Sequence, residues 1–329
     1  MMKRREFITL LGGAAAAWPR AASAQQPAMP VVGLINFGTP DGMARLGTAF
    51  QNALREAGYV PGQNVTVEYH WLEGQYGRVP ALVADLVRRR VAVIATPGAT
   101  LAALAAKAAT TTIPIVFGVG EDPVKLGLVA SLARPGGNAT GINFLTQEVV
   151  AKRLGLLHDV VPKAVRIAVL VNPANATITE TTLRDLPEAA RALGLQIQVL
   201  NASTSREIDA AFATLARDPA DALFIAADAF FTSRRGQFAT LAARDRMPAS
   251  CSNRELVEAG LLMSYGTNLA DTFRQVGIYA GSILKGAGPA DLPVLQSTKF
   301  EFIINLQTAR ALGLEVPNSL QLLADEVIE

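Results

Sequence analysis

Residues 91–119, VAVIATPGATLAALAAKAATTTIPIVFGV, show the fold in miniature. Val91–Ala95 is a short apolar run of β-branched character. Thr96-Pro-Gly-Ala-Thr100 is a turn signal, and Leu101–Thr110 has helical apolar spacing. Ile113–Val119 is a second apolar run. Strand, turn, helix and strand at this spacing make a βαβ unit, which places its two strands parallel in one sheet. Strands that are apolar throughout, rather than alternating, suit a sheet covered by helices on both faces.

The same alternation extends in both directions. Further apolar runs are Val31–Phe37, Val65–Trp71, Ile167–Val171, Ile197–Leu200, Ala222–Ala226 and Leu261–Ser264. Between them, helical spacing occupies Met43–Ala57, Val79–Arg90, Val149–Val160, Thr181–Leu193, Ile208–Ala216 and Arg235–Arg246. Gly58 and Gly194 stand where left-handed helix caps are needed. Arg134-Pro-Gly-Gly-Asn138 reads as a loop and Asn138–Phe144 as a short crossing strand, after which the βαβ pattern restarts. LREAGYVPGQNVTVEY and ARALGLQIQVLNAS hold equivalent places in the two halves, a structural duplication.

The chain end departs from two simple blocks. Ala270–Lys285 is a helix pattern ended by Gly286, followed by a Pro289–Leu295 connector, a Lys299–Asn305 strand and a short Thr308–Leu312 helix. The expected architecture is α/β, with two doubly wound, mostly parallel lobes joined by a multi-strand hinge. Lobe 1 is expected to take residues 28–143 plus about 268–297. Lobe 2 is expected to take about 144–267 plus 298–329, with a ligand cleft between them. Hinge segments fall near 141–145, 266–269 and 295–299.

Residues 1–24, MMKRREFITLLGGAAAAWPRAASA, have the layout of a cleaved export signal. Lys3, Arg4 and Arg5 precede an apolar stretch from Phe7 to Trp18, and Ala22-Ser23-Ala24 supplies the small-residue cut site. The arginine pair with Glu6, Phe7 and Ile8 resembles the twin-arginine export motif, although Lys3 and Thr9 depart from it. The mature protein is expected to start near Gln25 in the periplasm. With no Cys after the cut, no lipid anchor is expected. Removing the leader's four basic residues and one acid from 30 and 28 leaves 26 and 27, a mature net charge of −1. Such a balance gives no ground for a nucleic-acid partner. One cysteine, Cys251, rules out an internal disulfide, and two distant histidines, His70 and His158, argue against a His-based metal centre or triad. Neither cofactor nor metal is expected, and the protein is expected to be a monomer.

The segments VVGLINFG, AFQNALREAGYVPGQNVTVEYHWLEGQ, AVIATPGATLAALAAKAATTTIPIVF, DPVKLGLVASLARPGGNATG, LFIAADAFF, GLLMSYG and KFEFIINLQTARALGLEVP, with the leader, resemble the ABC-transporter substrate-binding proteins of the tryptophan/tyrosine-binding type. The string RPGGN-x-TG at 134–141 is specific to that family. This resemblance covers nearly the whole chain. It implies a type I periplasmic-binding fold, capture of a small solute and delivery to an ABC permease.

In open parallel α/β sheets, ligands bind outside the carboxyl ends of the strands. In the first lobe those ends offer Phe37, Gly38 and Thr39, then Thr96, Gly98 and Thr100, then Phe117. Free N–H groups and hydroxyls at the helix start after Thr96 suit a carboxylate, while Thr100 could equally cap that helix. Glu121-Asp122-Pro123 reads as an Asp N-cap with Pro behind it. In the second lobe the strand ends offer Asn172, Asn175, Asp228, Phe230, Ser252 and Tyr265. Asn172 and Asn175 suit either polar contacts or an Asx turn around Pro173. Asp228 follows an apolar strand, so its carboxylate falls at the cleft rim, where it either pairs with an ammonium group or caps the next helix. The resemblance implies the first role. Aromatic residues recur at strand ends, Phe37, Phe117, Phe144, Phe230, Phe231 and Tyr265, and suit a planar apolar ligand.

The expected ligand is therefore an aromatic or large apolar amino acid or a relative. An exported hydrolase is the alternative from another class, but no G-x-S-x-G elbow is present and no carboxylate pair stands at facing strand ends. A sensory binding protein serving a membrane receptor would share the same features.

Overall fold

The computed structural model describes residues 29–329, so the leader, its arginine pair and the cut site lie outside the described residues. The chain runs β1 (Val31–Asn36), α1 (Ala44–Glu56), β2 (Thr66–Trp71), α2 (Val79–Arg88), β3 (Val93–Pro97), α3 (Thr100–Ala109), β4 (Ile115–Val119) and β5 (Ala139–Asn143). It continues with α4 (Thr146–Val160), β6 (Arg166–Val171), α5 (Ala176–Ala192), β7 (Gln196–Asn201), α6 (Ser205–Arg217), β8 (Ala222–Ile225), α7 (Ala229–Ser233), α8 (Arg235–Arg244), β9 (Ala249–Cys251), α9 (Arg254–Glu258) and β10 (Met263–Thr267). Last come α10 (Leu269–Leu284), β11 (Leu295–Gln296), β12 (Phe300–Asn305), α11 (Leu306–Leu312), α12 (Asn318–Leu323) and β13 (Glu326–Ile328).

These strands form two sheets. The first has the order β11-β5-β4-β3-β1-β2, with every pairing parallel. The second has the order β13-β12-β10-β9-β8-β6-β7, and only the β10–β12 pairing is antiparallel. Each sheet has a hydrophobic cluster on either face. For the first these centre on Leu86 and Ile115 on one side and Phe50 and Phe273 on the other. For the second they centre on Leu154 and Phe224, and on Phe212 and Phe238. Such burial explains why the central strands lack polar alternation.

The chain passes between sheets three times, and the crossings are bonded to one another. The Thr267 hydroxyl donates to the Phe144 carbonyl at 2.6 Å. Asn268 N–H donates to Lys299 O at 3.0 Å, and Ser297 N–H to Asn143 O at 2.8 Å. After β10 the chain returns to the first sheet because α10 packs along α1. A Cβ on Gly277 would stand 2.7 Å from the Phe50 carbonyl oxygen, so only glycine allows this approach.

Several elements were not legible in the sequence. β9 has three residues, α7 and α9 five each, and β11 two, all too short to show a period. The C-terminal α12 and β13 are likewise short additions beside β12. Helix α5 starts at Ala176, five residues before the apolar pattern at Thr181, through a Thr-rich stretch of poor intrinsic propensity.

Candidate functional site

A cavity of about 800 Å³, counting its solvent-open mouth, lies between the two sheets at the carboxyl ends of the strands. The first sheet contributes Asn36, Phe37, Gly98 and Thr100 to its wall, and the second contributes Asn175, Asp228, Ser252 and Asn253. Gly266, Thr267 and Phe144, at the crossings, close the back, while Ile178, Leu269 and Phe273 add apolar surface. Gly266 is required there, since a Cβ would stand 2.1 Å from the Ser252 carbonyl oxygen.

Asp228 is the ionisable residue of this wall. It follows β8 and caps α7, accepting the Phe231 N–H at 3.2 Å on Oδ1. Asn172 Nδ2 donates to the same oxygen at 3.2 Å. Oδ2 accepts from Asn175 Nδ2 at 2.9 Å and from the Tyr76 hydroxyl at 2.8 Å. The carboxyl is 7% exposed, and burial pushes it above the ordinary carboxylate range against the pull of these four donors. Burial and then the adjacent carboxylate push the Tyr76 phenol upward as well. The two roles anticipated for Asp228 are thus compatible, because capping uses one lone pair of one oxygen.

Tyr76 comes from the opposite lobe. It starts a single 3-10 turn after β2 and lies against Phe37, with ring centroids 4.3 Å apart. Sequence reading passed over it because Leu72–Arg78 looks like a plain connector. Applying the strand-end rule to β2 would have found it. Among the described residues, further hydrogen bonds and ion pairs span the cleft: Asn172 Nδ2 donates to the Tyr76 hydroxyl at 3.2 Å, Thr39 N–H to Ser233 Oγ at 3.0 Å, and Arg45 pairs with Glu255 at 2.7 Å.

Phe37, Gly98, Thr100, Asn175, Asp228 and Ser252 therefore come together around the cavity. Asn172 stands behind Asp228. Its Oδ1 accepts Ala174 N–H, so the anticipated Asx turn is present, while its Nδ2 donates to the Asp228 carboxylate. Others do not reach the wall. Gly38 N–H bonds Asn36 Oδ1 in a tight turn, and Thr39 makes the lobe-to-lobe contact. Thr96 is fully buried with an unpartnered hydroxyl, because its strand position turns it inward. Phe117 is fully buried beneath the first sheet. Phe230 packs into the second lobe's core and against Gly74. Tyr265 stacks on Phe300 and meets Phe302 edge to face. Of the recurring aromatics, Phe37 and Phe144 line the cavity, joined by Phe273. Strand alternation turns Phe117 and Tyr265 away from it, while Phe230 and Phe231, on α7, pack into the second lobe's core.

Thr100 does not cap α3. Its hydroxyl donates to Glu121 Oε2 at 2.8 Å, and burial raises the Glu121 carboxyl. Glu121 is thus a buried partner behind the cavity wall, whereas Asp122 alone receives the N–H groups of Val124 and Lys125. Among the described residues no group of three His, Cys, Asp or Glu side chains could hold a metal ion. No described helix is long and apolar enough to cross a membrane.

Two α/β lobes with a mixed polar and aromatic cavity at facing strand ends, joined by three crossings, define a type I periplasmic-binding architecture. The chain belongs to the ABC transporter substrate binding protein family, whose profile it matches over residues 31–328. That family is extracytoplasmic and is not a class of enzyme, and its members capture a solute for an ABC permease. A tyrosine-binding protein of Clostridioides difficile is 28% identical over 271 residues, which are 81% of this chain and 76% of that protein. An ABC domain from Streptococcus pneumoniae in complex with L-Trp superposes with a TM-score of 0.79 at 25% identity, covering 91% of this chain and 99% of that one. The ligand-free, open structure of a substrate-binding protein with adhesive properties from Clostridium difficile gives 0.63 at the same identity and coverage.

Proposed function

We propose that the cavity holds an α-amino acid with an aromatic or large apolar side chain. The observation that carries this reading is Asp228, a buried carboxylate in the wall of a cavity otherwise lined by neutral and aromatic groups. An ammonium group presents three donors and a positive charge. It would replace the Tyr76 hydroxyl or the Asn175 amide on Oδ2 and lower the electrostatic cost of the buried carboxylate. Phe37, Phe144 and Phe273 suit the side chain. The relatives named for tyrosine and bound to L-Trp support the same ligand class.

The protein is read as a monomer that is exported through the twin-arginine route, cut near Ala24 and released without a lipid anchor into the periplasm. Residues 28–143 with about 268–297 would move against about 144–267 with 298–329, hinged at the three crossings. Closure buries the solute and excludes water, so ligand favours the closed form. The better match to the L-Trp-bound neighbour than to the open one supports a closed arrangement here.

The test is mass spectrometry of solute released from the purified, denatured protein, followed by calorimetry of the stripped and refolded protein with L-tyrosine and L-tryptophan. Release of a sugar or other solute without an amino group, with no heat from either amino acid, would overturn the reading.

A further inference from the structure

A zwitterion needs a place for its carboxylate as well as its ammonium. The start of α3 is a weak candidate, because the Thr100 hydroxyl is committed to the buried acid Glu121. A stronger one lies behind the cavity wall of the second lobe. Arg153, on α4, is 2% exposed. Its Nη2 donates to the Ile225 carbonyl at 3.0 Å, its guanidinium lies 3.9 Å from the Phe224 ring centroid, and its Nε is buried with no partner. Among the described residues no carboxylate accompanies it, and the ionisable group beside it is the Cys251 thiol. Burial pushes that thiol up to about 12, so it is neutral, and pushes the guanidinium down to about 10, so it remains charged at neutral pH.

The position of this unpaired cation is informative. Helical side chains lean toward the N-terminus of their own helix, and Val149, one turn before Arg153, lines the cavity. Ile225 ends β8, and its successors Ala227 and Asp228 line the cavity. Cys251 ends β9, and its successor Ser252 lines it too. The guanidinium therefore sits at the carboxyl ends of β8 and β9, behind the stretch of cavity wall that holds Val149, Ala227 and Ser252 and not itself among the lining residues. A charge left without a counter-ion in a core is costly, and groups kept in that condition cluster at binding sites.

We propose that Arg153 is the anion subsite of the cavity and takes the ligand's carboxylate. The inference rests on the amino-acid reading of the site. With one donor engaged and Nε–H open, the guanidinium has donors left for a carboxylate. Arg153 and Asp228 then form the two poles of the site, both in lobe 2, so a zwitterion binds that lobe first and lobe 1 closes over its side chain.

The test compares three probes by calorimetry: L-tryptophan, tryptamine, which lacks the carboxylate, and indole-3-propionate, which lacks the ammonium. Wild type is expected to prefer L-tryptophan to tryptamine by about 30-fold or more, as for a buried charge pair. In Arg153→Met and in Arg153→Gln this preference collapses to within a few fold, and indole-3-propionate binding is lost. Arg153→Lys, which keeps the charge, retains part of the preference. Ligand-free Arg153→Met is expected to melt no lower than wild type, since an apolar replacement of a buried unpaired charge is often neutral or stabilising. The Gln variant keeps an amide that can bond Ile225 if the Met variant does not fold. An undiminished preference in either neutral variant, or wild type binding tryptamine as tightly as L-tryptophan, overturns the subsite while leaving the aromatic-ligand reading intact. Wild type binding none of the three, with no heat from L-tyrosine and a released solute that lacks an amino group, overturns that reading and this inference with it; a tyrosine-selective protein is tested with L-tyrosine, tyramine and 3-(4-hydroxyphenyl)propionate in the same three roles.

Discussion

Tyr76 of the first lobe donates its hydroxyl hydrogen to Asp228 of the second across the cleft, at 2.8 Å. The acceptor is a buried carboxylate that the cavity presents to its contents. On the amino-acid reading proposed above, this bond would link lobe closure to occupancy, because the oxygen that accepts the cross-lobe bond is the one a ligand's ammonium would claim. Tyr76→Phe removes a hydrogen bond to an ionised group, a contact worth about 1.5–3 kcal/mol. The ligand-free variant is expected to be more open, with a larger radius of gyration by solution scattering. Unchanged dimensions would show that the remaining contacts, Thr39–Ser233, Arg45–Glu255 and the packing of Phe230 on Gly74 among them, suffice to hold the lobes.

Asp228→Asn keeps one oxygen that can cap α7, but its NH2 faces buried donors that the carboxylate accepted, so some loss of ligand-free stability is expected beside the effect on binding. The larger effect falls on binding. An ammonium without its counter-charge loses about 2–5 kcal/mol, roughly a 30- to several-thousand-fold rise in Kd by calorimetry. Binding of the native solute as tightly as wild type would rule out the ammonium anchor.

Affinity should depend on pH through the same carboxyl. Burial raises its folded value above the ordinary 3.8, so the free protein holds a proton that the unfolded chain releases. Between 3.8 and the raised value the native state binds more protons, so Asp228 makes ligand-free stability fall as pH rises through that window. Glu121, also raised by burial, contributes with the same sign. An ammonium ligand requires the ionised form, so its affinity should strengthen over that window and level off above it. Proton release on binding, measured in buffers of different ionisation enthalpy, checks this. Asp228→Asn should abolish the release.

Phe117→Ala separates a core role from a lining role. Phe117 is fully buried beneath the first sheet. Truncation should cost about 3–5 kcal/mol of stability through lost burial and the cavity left behind. Solute affinity, measured where the variant is still folded, should stay near wild type. A large loss of affinity would return Phe117 to the binding wall.

Arg4-Arg5→Lys-Lys should block export if the leader uses the twin-arginine route. Fractionation followed by N-terminal sequencing checks both route and cut site. Unchanged export would assign the protein to the general secretory route.

The class of fold was legible because it depends on local periodicity. Apolar runs such as Val91–Ala95 and Ile113–Val119, separated by a helical pattern, can bury both faces of their strands only in a covered parallel sheet. The late helix and strand after two complete halves already pointed to the chain crossing between lobes more than once. Strand-end reasoning also reached Phe37, Gly98, Thr100, Asn175, Asp228 and Ser252, since direction along a strand follows from chain order. Side-chain facing does not follow so simply. Thr96 and Phe117 stand near strand ends yet turn into the core, and Tyr265 turns to its partly buried stack on Phe300, because one residue of register decides which face a side chain meets. Partners distant in sequence were beyond reach altogether. Tyr76 meets Asp228 from 152 residues away, and Arg153 meets the Ile225 carbonyl from 72. Those pairings depend on how the two sheets meet and on how helix α4 packs against the ends of neighbouring strands, and only the assembled tertiary structure determines either.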